Sequence, residues 1–492
     1  MHSVTVLPHG ESFLVPHGSN LLSVLAEHKI LIPAPCGGKG SCGKCRVQLR
    51  ESPDAPFFEA LACHTTVVGD LTVLLDEQDA RGMLAISATA TPCNGTRAGV
   101  LLDIGTTTLA ACLVDQITGK TLATASMLNP QAAFGADVLS RITAYANGKG
   151  EAMRVAVVDA ANRLLAEFAH TGAEIDEMIV AGNPTMLHLL IGADPTGIGA
   201  YPFTPAFVDT KYFAGIEIGI HVPRVRLLPS ISAYLGSDVS GGVLACEMHQ
   251  TEKTQLLLDL GTNGEVVLSY RGKLYAASTA AGPALEGANL SCGIGGVSGA
   301  VDRVWCEDGQ LHFSTVENAP ARGICGSGVI DLIALLLNEG ILDETGAFSE
   351  ECNSPLLARI EDDCFYLTPD VFLSQDDVRQ FQLAKAAIAA GIEALAAHCN
   401  VKTDEIEHVF LAGGLGYYLR PASAARTGLL PQTLLLRTAI VGNTALAGAR
   451  LCLVHKEKQA ELDSLCKETE SVELSFSPVF SQAYIENMGF EA

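Results

Sequence analysis

The 492-residue chain is 48% apolar, enough to bury more than one core, and its length predicts two to four globular domains. Its 55 acidic against 31 basic residues give a formal charge of -24 with no basic run to offset it, which excludes nucleic acid and anionic membrane as partners and favours proteins or small anions. No N-terminal stretch has the order of a signal peptide and no apolar run is long enough to span a membrane, so the cytoplasm is the expected location.

The chain opens with a small β-rich region. "SVTVLP" and "SFLVPHG" alternate around a turn containing His9 and Gly10, "SNLLSVLAEHK" pairs an Asn/Ser start with helical spacing, and "GKCRVQLRE" and "DLTVLLDE" predict further strands. Cys36, Cys42, Cys45 and Cys63 follow a C-x5-C-x2-C-x17-C pattern, the last in "ALACHT" before the final strand. Four converging thiolates suit two bridged irons or one tetrahedral zinc. The spacing favours iron: zinc ribbons usually present two C-x2-C knuckles, whereas this loop has one. Gly37, Gly38, Gly40 and Gly43 also suit a backbone that wraps a cluster and points N–H groups at sulfur. Zinc is the second reading, and uncoordinated or disulfide-bonded cysteines the third. Of the fifteen cysteines, the remaining eleven read as reduced and mostly buried thiols. Residues 1–80 resemble the ferredoxin β-grasp domain, with a first spacer one residue longer than the plant-type C-x4-C and a shorter gap to Cys63 than in many ferredoxins. That resemblance implies a [2Fe-2S] cluster.

Residues 81–98 lack periodicity and carry Gly, Pro, Asn and Thr, so they read as a linker. Beyond it, "GVLLDIGTTTLAACLVDQITGKTLATASML" and "TQLLLDLGTNGEVVLSYRGKLYAASTAA" share one design: an apolar strand, Asp-x-Gly-Thr, a second strand, a Gly-containing turn and a third strand. This is an internal repeat. In each copy an Asp at a strand end can hold Mg2+ or its water, while Gly and Thr offer backbone and hydroxyl donors to phosphate. Asp103 with Gly105, Thr106 and Thr107 forms one such site, and Asp259 with Gly261, Thr262 and Asn263 the other. A single copy would be weak, more often an ordinary turn; two in matching strand contexts point to phosphate loops.

"ARGICGSGVIDLIALLLNEG" places a Gly-rich turn, including Gly326, before a helix, and "VFLAGGLGYYL" ends an apolar strand with Gly413, Gly414 and Gly416. Such turns let backbone approach adenosine closely, or simply pack. Glu286 in "AAGPALEGANLS" is read either as orienting water or Mg2+ near a γ-phosphate or as a solvent-facing carboxylate, and Asp238 is a similar, weaker candidate. Cys325 reads as a small residue packed in its turn. "SQDDVRQFQLAKAAIAAGIEALAAH" predicts a long amphipathic helix with Phe381, Ala384, Ile388, Ile392 and Leu395 inward. "HKEKQAELDSLCKETE" predicts a charged helix, and the aromatic tail after it is expected to dock back on the domain.

The two Asp loops and the Gly-rich segments resemble the sugar kinase, Hsp70 and actin superfamily, in which two ribonuclease-H-like halves close on ATP. The expected fold is therefore α/β: a duplicated actin/Hsp70-like ATPase domain over 99–492, its halves about 99–250 and 251–455 with an extension at 456–492, preceded by the β-grasp domain. The fusion of "PCGGKGSCGKC" with "DIGTTT", "DLGTNGE", "CGSG", "QLAKAAIAAGIE" and "FLAGGLG" closely resembles the ATP-dependent reductive activators of corrinoid proteins over nearly the whole chain. Longer members of that family carry extra sequence between the cluster and nucleotide domains, where this chain has only the short linker. The resemblance implies a cluster on Cys36, Cys42, Cys45 and Cys63 that passes one electron to Co(II) of a corrinoid protein in a methyltransferase system, restoring Co(I). It implies ATP and Mg2+ as cofactors and an external low-potential electron donor, with a homodimer left open. The alternatives are an activator of another low-potential enzyme, a small-molecule kinase with an accessory metal domain, and an inert binding module.

Overall fold

The structure, a computed structural model, describes the chain except residues 8–10, 29, 31, 33–44, 53–54, 76–86, 91, 288, 350–351, 417 and 491–492. The turn at His9 and Gly10, the loop with Cys36, Cys42 and its four glycines, and residues 81–86 and 91 of the expected linker lie outside the described residues. Two compact units are present, Met1–Phe207 with Lys211–Leu227, and Val208–Thr210 with Leu228–Ala492.

In the first unit, alternation in the N-terminal residues produces β1 (His2–Leu7) and β2 (Glu11–Val15). Asn20 accepts from the Ser23 amide at 3.3 Å and so caps α1 (Leu21–Glu27). The strands β3 (Arg46–Arg50), β4 (Phe58–Leu61) and β5 (Leu71–Leu74) complete a sheet of order β2-β1-β5-β3-β4. Val4, Val6, Val47, Leu49 and Val73 bury one face of it beneath Leu21 and Leu25 of the helix. The β4 segment, "FEAL", escapes a reading by alternation because its residues remain partly exposed at a sheet edge.

A second sheet follows from β6 (Ser87–Ala90), β7 (Arg97–Ile104), β8 (Thr108–Asp115), β9 (Thr121–Leu128), β10 (Glu174–Gly182), β11 (Lys211–Ala214) and β12 (Arg224–Leu227), in the order β11-β12-β10-β7-β8-β9-β6. β6 falls inside the stretch read as linker; it pairs antiparallel with β9 and so extends the sheet by one edge strand. The central β7 is apolar from Ala98 to Leu102 because both its faces are covered. α2 (Gly150–Phe168) turns Met153, Val157, Ala160, Ala161, Leu164 and Phe168 into the same core at helical spacing, and α3 (Pro184–Ile191) adds Met186 and Leu190.

The second unit repeats the plan. β13 (Gln255–Leu260), β14 (Gly264–Tyr270) and β15 (Lys273–Thr279) form a meander, and β18 (His408–Ala412) and β19 (Thr438–Gly442) join beside β13 in parallel, as β10 and β12 do beside β7. The repeat read from the sequence is thus a repeat of topology. Two further strands, β16 (Ala300–Glu307) and β17 (Gln310–Thr315), lead into the buried α5 (Gly326–Asn338). Ser374 and Asp377 form a reciprocal capping box at the start of α6 (Gln375–His398), which buries Phe381, Ala384, Ile388, Ile392 and Leu395 as expected. Helices α4 (Ser237–Ala245) and α7 (Thr444–Val454) pack so closely that a Cβ on Gly448 would lie 2.4 Å from Gly241 Cα. The charged helix α8 (Glu457–Glu468) follows, and the tail returns to the core: Phe490 is buried and the Lys385 ammonium donates to the Gly489 carbonyl. Among the described residues, no helix is long and apolar enough to cross a membrane, and none of the described cysteines forms a disulfide.

Candidate functional site

Cys45 immediately precedes β3, and Cys63 sits in a single helical turn, Ala62–His64, that follows β4. The β3–β4 pairing places Arg46 opposite Leu61, and the Ala62 amide donates to the Cys45 carbonyl at 2.8 Å. Both cysteines are thereby brought to the same end of the sheet, and both are buried. Asn20, besides capping α1, donates to the Cys63 carbonyl at 2.7 Å, which ties the helix to the cysteine turn. Two buried cysteines at one strand end, continuing into a Cys- and Gly-rich loop, fit a thiolate-held cluster.

In the first phosphate loop, Asp103 lies near the end of β7, opposite Ala110 on β8 and beside Ala181 on β10. The Gly105 amide donates to the Thr108 carbonyl at 3.0 Å, and a Cβ on Gly105 would lie 2.8 Å from that oxygen, so the turn is tight enough to require glycine. The neighbouring strand β10 ends on Gly182 at φ 153°, where a Cβ would lie 2.6 Å from the Ile104 carbonyl. Its "VAG" echoes the "LAG" of β18, a signal the sequence reading passed over.

The second loop is acidic. Asp259 on β13 stands opposite Glu265 on β14, with Gly261, Thr262 and Asn263 making the connection. The Thr262 hydroxyl donates to Glu286 at 2.5 Å, and Glu286 reaches the loop from the turn Pro283–Glu286. On the parallel side, Gly413 follows β18 at φ 88°, where a Cβ would lie 2.4 Å from Asp259 Oδ1. Asp238, in the first turn of α4, contributes to the same field. Burial pushes its carboxyl up to about 6 against the opposing bond from the Val239 amide. Burial first, then Asp238 and Asp259, hold Glu265 well above the usual carboxylate range, so Glu265 keeps its proton where an exposed glutamate would lose it. Burial and Asp259 likewise push the Cys246 thiol up to about 12, which leaves it an inert filler.

The structure therefore gathers Asp259, Gly261, Thr262, Asn263, Glu286 and Gly413, with Gly414 next to them in open space. Gly326 belongs to the same neighbourhood through packing: a Cβ there would lie 1.6 Å from the Leu285 carbonyl, so the start of α5 sits directly on the turn that carries Glu286. Cys325 is buried with its sulfur against the Val301 carbonyl and Ser327, a packed residue as read. Glu265 was missed, although its place across a three-residue connection from Asp259 was the available signal. Among the described residues, no group of three or more His, Cys, Asp or Glu side chains is arranged to hold a metal ion. Mg2+ is usually held by one or two carboxylates together with substrate phosphates and water.

Comparison with known proteins matches residues 4–68 to the 2Fe-2S iron-sulfur cluster binding domain, 98–251 to the RACo middle region and 253–492 to the C-terminal ASKHA domain of RACo. The corrinoid activation enzyme RamQ of Eubacterium limosum is 34% identical over 419 residues, which cover 80% of this chain and 70% of RamQ. A Co(II) methylated amine-specific corrinoid protein reductase of Methanosarcina barkeri is 24% identical over 438 residues, covering 80% of this chain and 77% of that protein. A solved reductive activator for corrinoid, iron-sulfur protein superposes with a TM-score of 0.74 at 27% identity, covering 100% of this chain and 98% of its own. A chain that follows one reductive activator from end to end, and is 34% identical to an activation enzyme over 419 residues, belongs to the family of reductive activators of corrinoid proteins.

Proposed function

We propose that this protein restores a methyl-transferring corrinoid protein by reducing its inactive Co(II) to Co(I) under the control of ATP. The observation that carries the reading is the end-to-end likeness to a reductive activator in a chain that holds both a cluster domain and an ATPase-type domain. A [2Fe-2S] cluster, when bound, supplies one electron at a time. Cys36, Cys42, Cys45 and Cys63 are the residues that would hold it, and an external low-potential donor would refill it.

ATP is the nucleotide and Mg2+ its companion ion. At the second loop, Asp259 is the candidate partner for Mg2+ or its water, and Glu286, which accepts from the Thr262 hydroxyl, is the candidate to orient an attacking water. Burial and the neighbouring Asp238 and Asp259 raise the Glu265 carboxyl, which favours its neutral form across the hairpin from Asp259. Gly414 and Gly326 serve close approach of the nucleotide, and Thr106 and Thr107 serve phosphate. The energetics are feasible: each ~59 mV of uphill one-electron transfer costs about 1.4 kcal/mol, so a thousandfold differential affinity between two nucleotide states covers about 180 mV, or about 4 kcal/mol.

The test is anaerobic. Reduced protein is mixed with a Co(II) corrinoid protein, and the visible spectrum is followed for Co(I) with and without Mg-ATP. Co(I) appearing only with ATP supports the reading. Stable complex formation with cobalt remaining Co(II) in the presence of ATP rejects reductive activation for that pair.

A further inference from the structure

The two repeated loops have opposite electrostatic surroundings. Where the second has Glu265 opposite its aspartate, the first has Ala110 opposite Asp103. Behind the first loop lies Arg141, a fully buried guanidinium. Its Nη2 donates to the Thr106 carbonyl at 2.5 Å, its Nε to the Gly135 carbonyl at 3.0 Å, and its Nη1 to the Met186 sulfur at 3.0 Å. Asn129, also fully buried, supplies the flanking bonds: its side-chain Nδ2 donates to the Gly105 carbonyl at 2.8 Å and its backbone amide to the Thr107 carbonyl at 2.7 Å.

All three carbonyls from Gly105 to Thr107 are thus taken by one segment. A trans peptide points its N–H opposite to its C=O, and these peptides are trans. Fixing the Gly105 and Thr106 carbonyls against Asn129 and Arg141 therefore turns the amides of Thr106 and Thr107 the other way. A buried cation behind outward-turned amides favours an anion in front of them.

We propose that Arg141 and Asn129 are positioning residues that make the Gly105–Thr107 loop the seat for an ATP phosphate, acting through the loop carbonyls without touching the nucleotide. The proposal rests on the reading of the chain as an ATP-dependent activator.

Full-length reconstituted protein carrying Arg141→Met, Arg141→Lys, Asn129→Ala or Asp103→Asn is titrated calorimetrically with Mg-ATP and, separately, with adenosine, and steady-state ATPase is measured. Arg141→Met is expected to raise the Kd and KM for ATP at least tenfold, to change kcat less than threefold, and to leave the adenosine Kd within twofold. Arg141→Lys, which keeps the charge but loses the fork, should recover part of the loss. Equal weakening of ATP and adenosine, or no rescue by lysine, would mean that Arg141 only holds the fold and would overturn the proposal. Should Arg141→Met not fold, Asn129→Ala carries the same test, since it removes the bond to Gly105 and leaves the cation in place. Asp103→Asn separates the two levels. If it impairs ATP binding while Arg141→Met and Asn129→Ala do not, positioning fails alone; if none of the variants alters ATP binding, the nucleotide reading of this loop fails with it.

Discussion

Gly413 shows how narrowly single residues define the acidic loop. At φ 88°, with a Cβ position 2.4 Å from Asp259 Oδ1 and 2.7 Å from the Leu260 carbonyl, alanine is both strained and in collision with the carboxylate. Gly413→Ala is expected to cost about 1–3 kcal/mol in denaturant unfolding and to lower ATPase turnover at least tenfold. Gly414 is the control: its Cβ would meet nothing within 4 Å, so Gly414→Ala should unfold within about 0.5 kcal/mol of the parent and raise only the KM for ATP. An unchanged KM would remove Gly414 from the nucleotide site. Asp238 gives a prediction in pH. Its carboxyl rises from 3.8 unfolded to about 6 folded, facing Glu265 and, beyond it, Asp259. The folded state therefore holds a proton that the unfolded chain releases. Stability from this group is full below about pH 4 and is lost as pH rises to about 6, on the order of 3 kcal/mol in all. Asp238→Asn keeps an oxygen for the Val239 amide and abolishes that loss, so metal-free melts should show the variant gaining on the parent between pH 4 and 6 and keeping the gain above it. Parallel profiles would mean that the carboxyl is not short of water.

At the scale of elements, close packing of α4 on α7 depends on glycine, and the competing terms can be compared. Replacing Gly448 by alanine gains roughly 1 kcal/mol of helix propensity. The new methyl would lie 2.4 Å from both Gly241 Cα and its carbonyl oxygen, however, and backbone cannot rotate aside as a side chain can. Overpacking of this kind costs about 1–3 kcal/mol, so Gly448→Ala is expected to be net destabilising, with a Tm several degrees lower by calorimetry. A raised Tm would mean that the helices separate freely. This crossing also marks where sequence reading reaches its limit. The meanders around Asp103 and Asp259 were legible because apolar runs and turn residues recur in the same order, and α6 because Ser374 and Asp377 announce its start. Glu286 and Gly326 were legible as candidates, but not that Leu285 binds their two turns together. Asn129 and Arg141 carry no local signature: each meets the first loop across more than twenty residues of chain, and only the fold brings them there. The edge strands β4 and β6 were silent because an edge needs neither alternation nor a long apolar run.

For the whole molecule, the decisive property is that the match to the 2Fe-2S cluster binding domain and the match to the ASKHA domain fall on separate stretches of one chain, 4–68 and 253–492, so each can be altered while the other is kept. Cys45 is buried in the core of the β-grasp domain, whose hydrophobic cluster is separate from the one that holds β13, β14 and α6. Cys45→Ser should therefore abolish the visible absorption of the cluster and the formation of Co(I), yet leave ATP hydrolysis within about twofold of the parent. Asp259→Asn should do the reverse: a normal cluster spectrum, reducible by dithionite, with ATPase activity lowered at least a hundredfold and no ATP-dependent Co(I). The informative comparison is the second variant without nucleotide. If ATP supplies the uphill free energy, Asp259→Asn must behave as the parent does when ATP is withheld, since removing a term that was never engaged changes nothing. If instead it reduces cobalt faster than the ATP-free parent, the nucleotide domain restrains the electron transfer, and ATP acts by releasing that restraint. One energetic role predicts no difference from the ATP-free parent and the other a faster trace, so the assignment does not depend on knowing the potential of either centre.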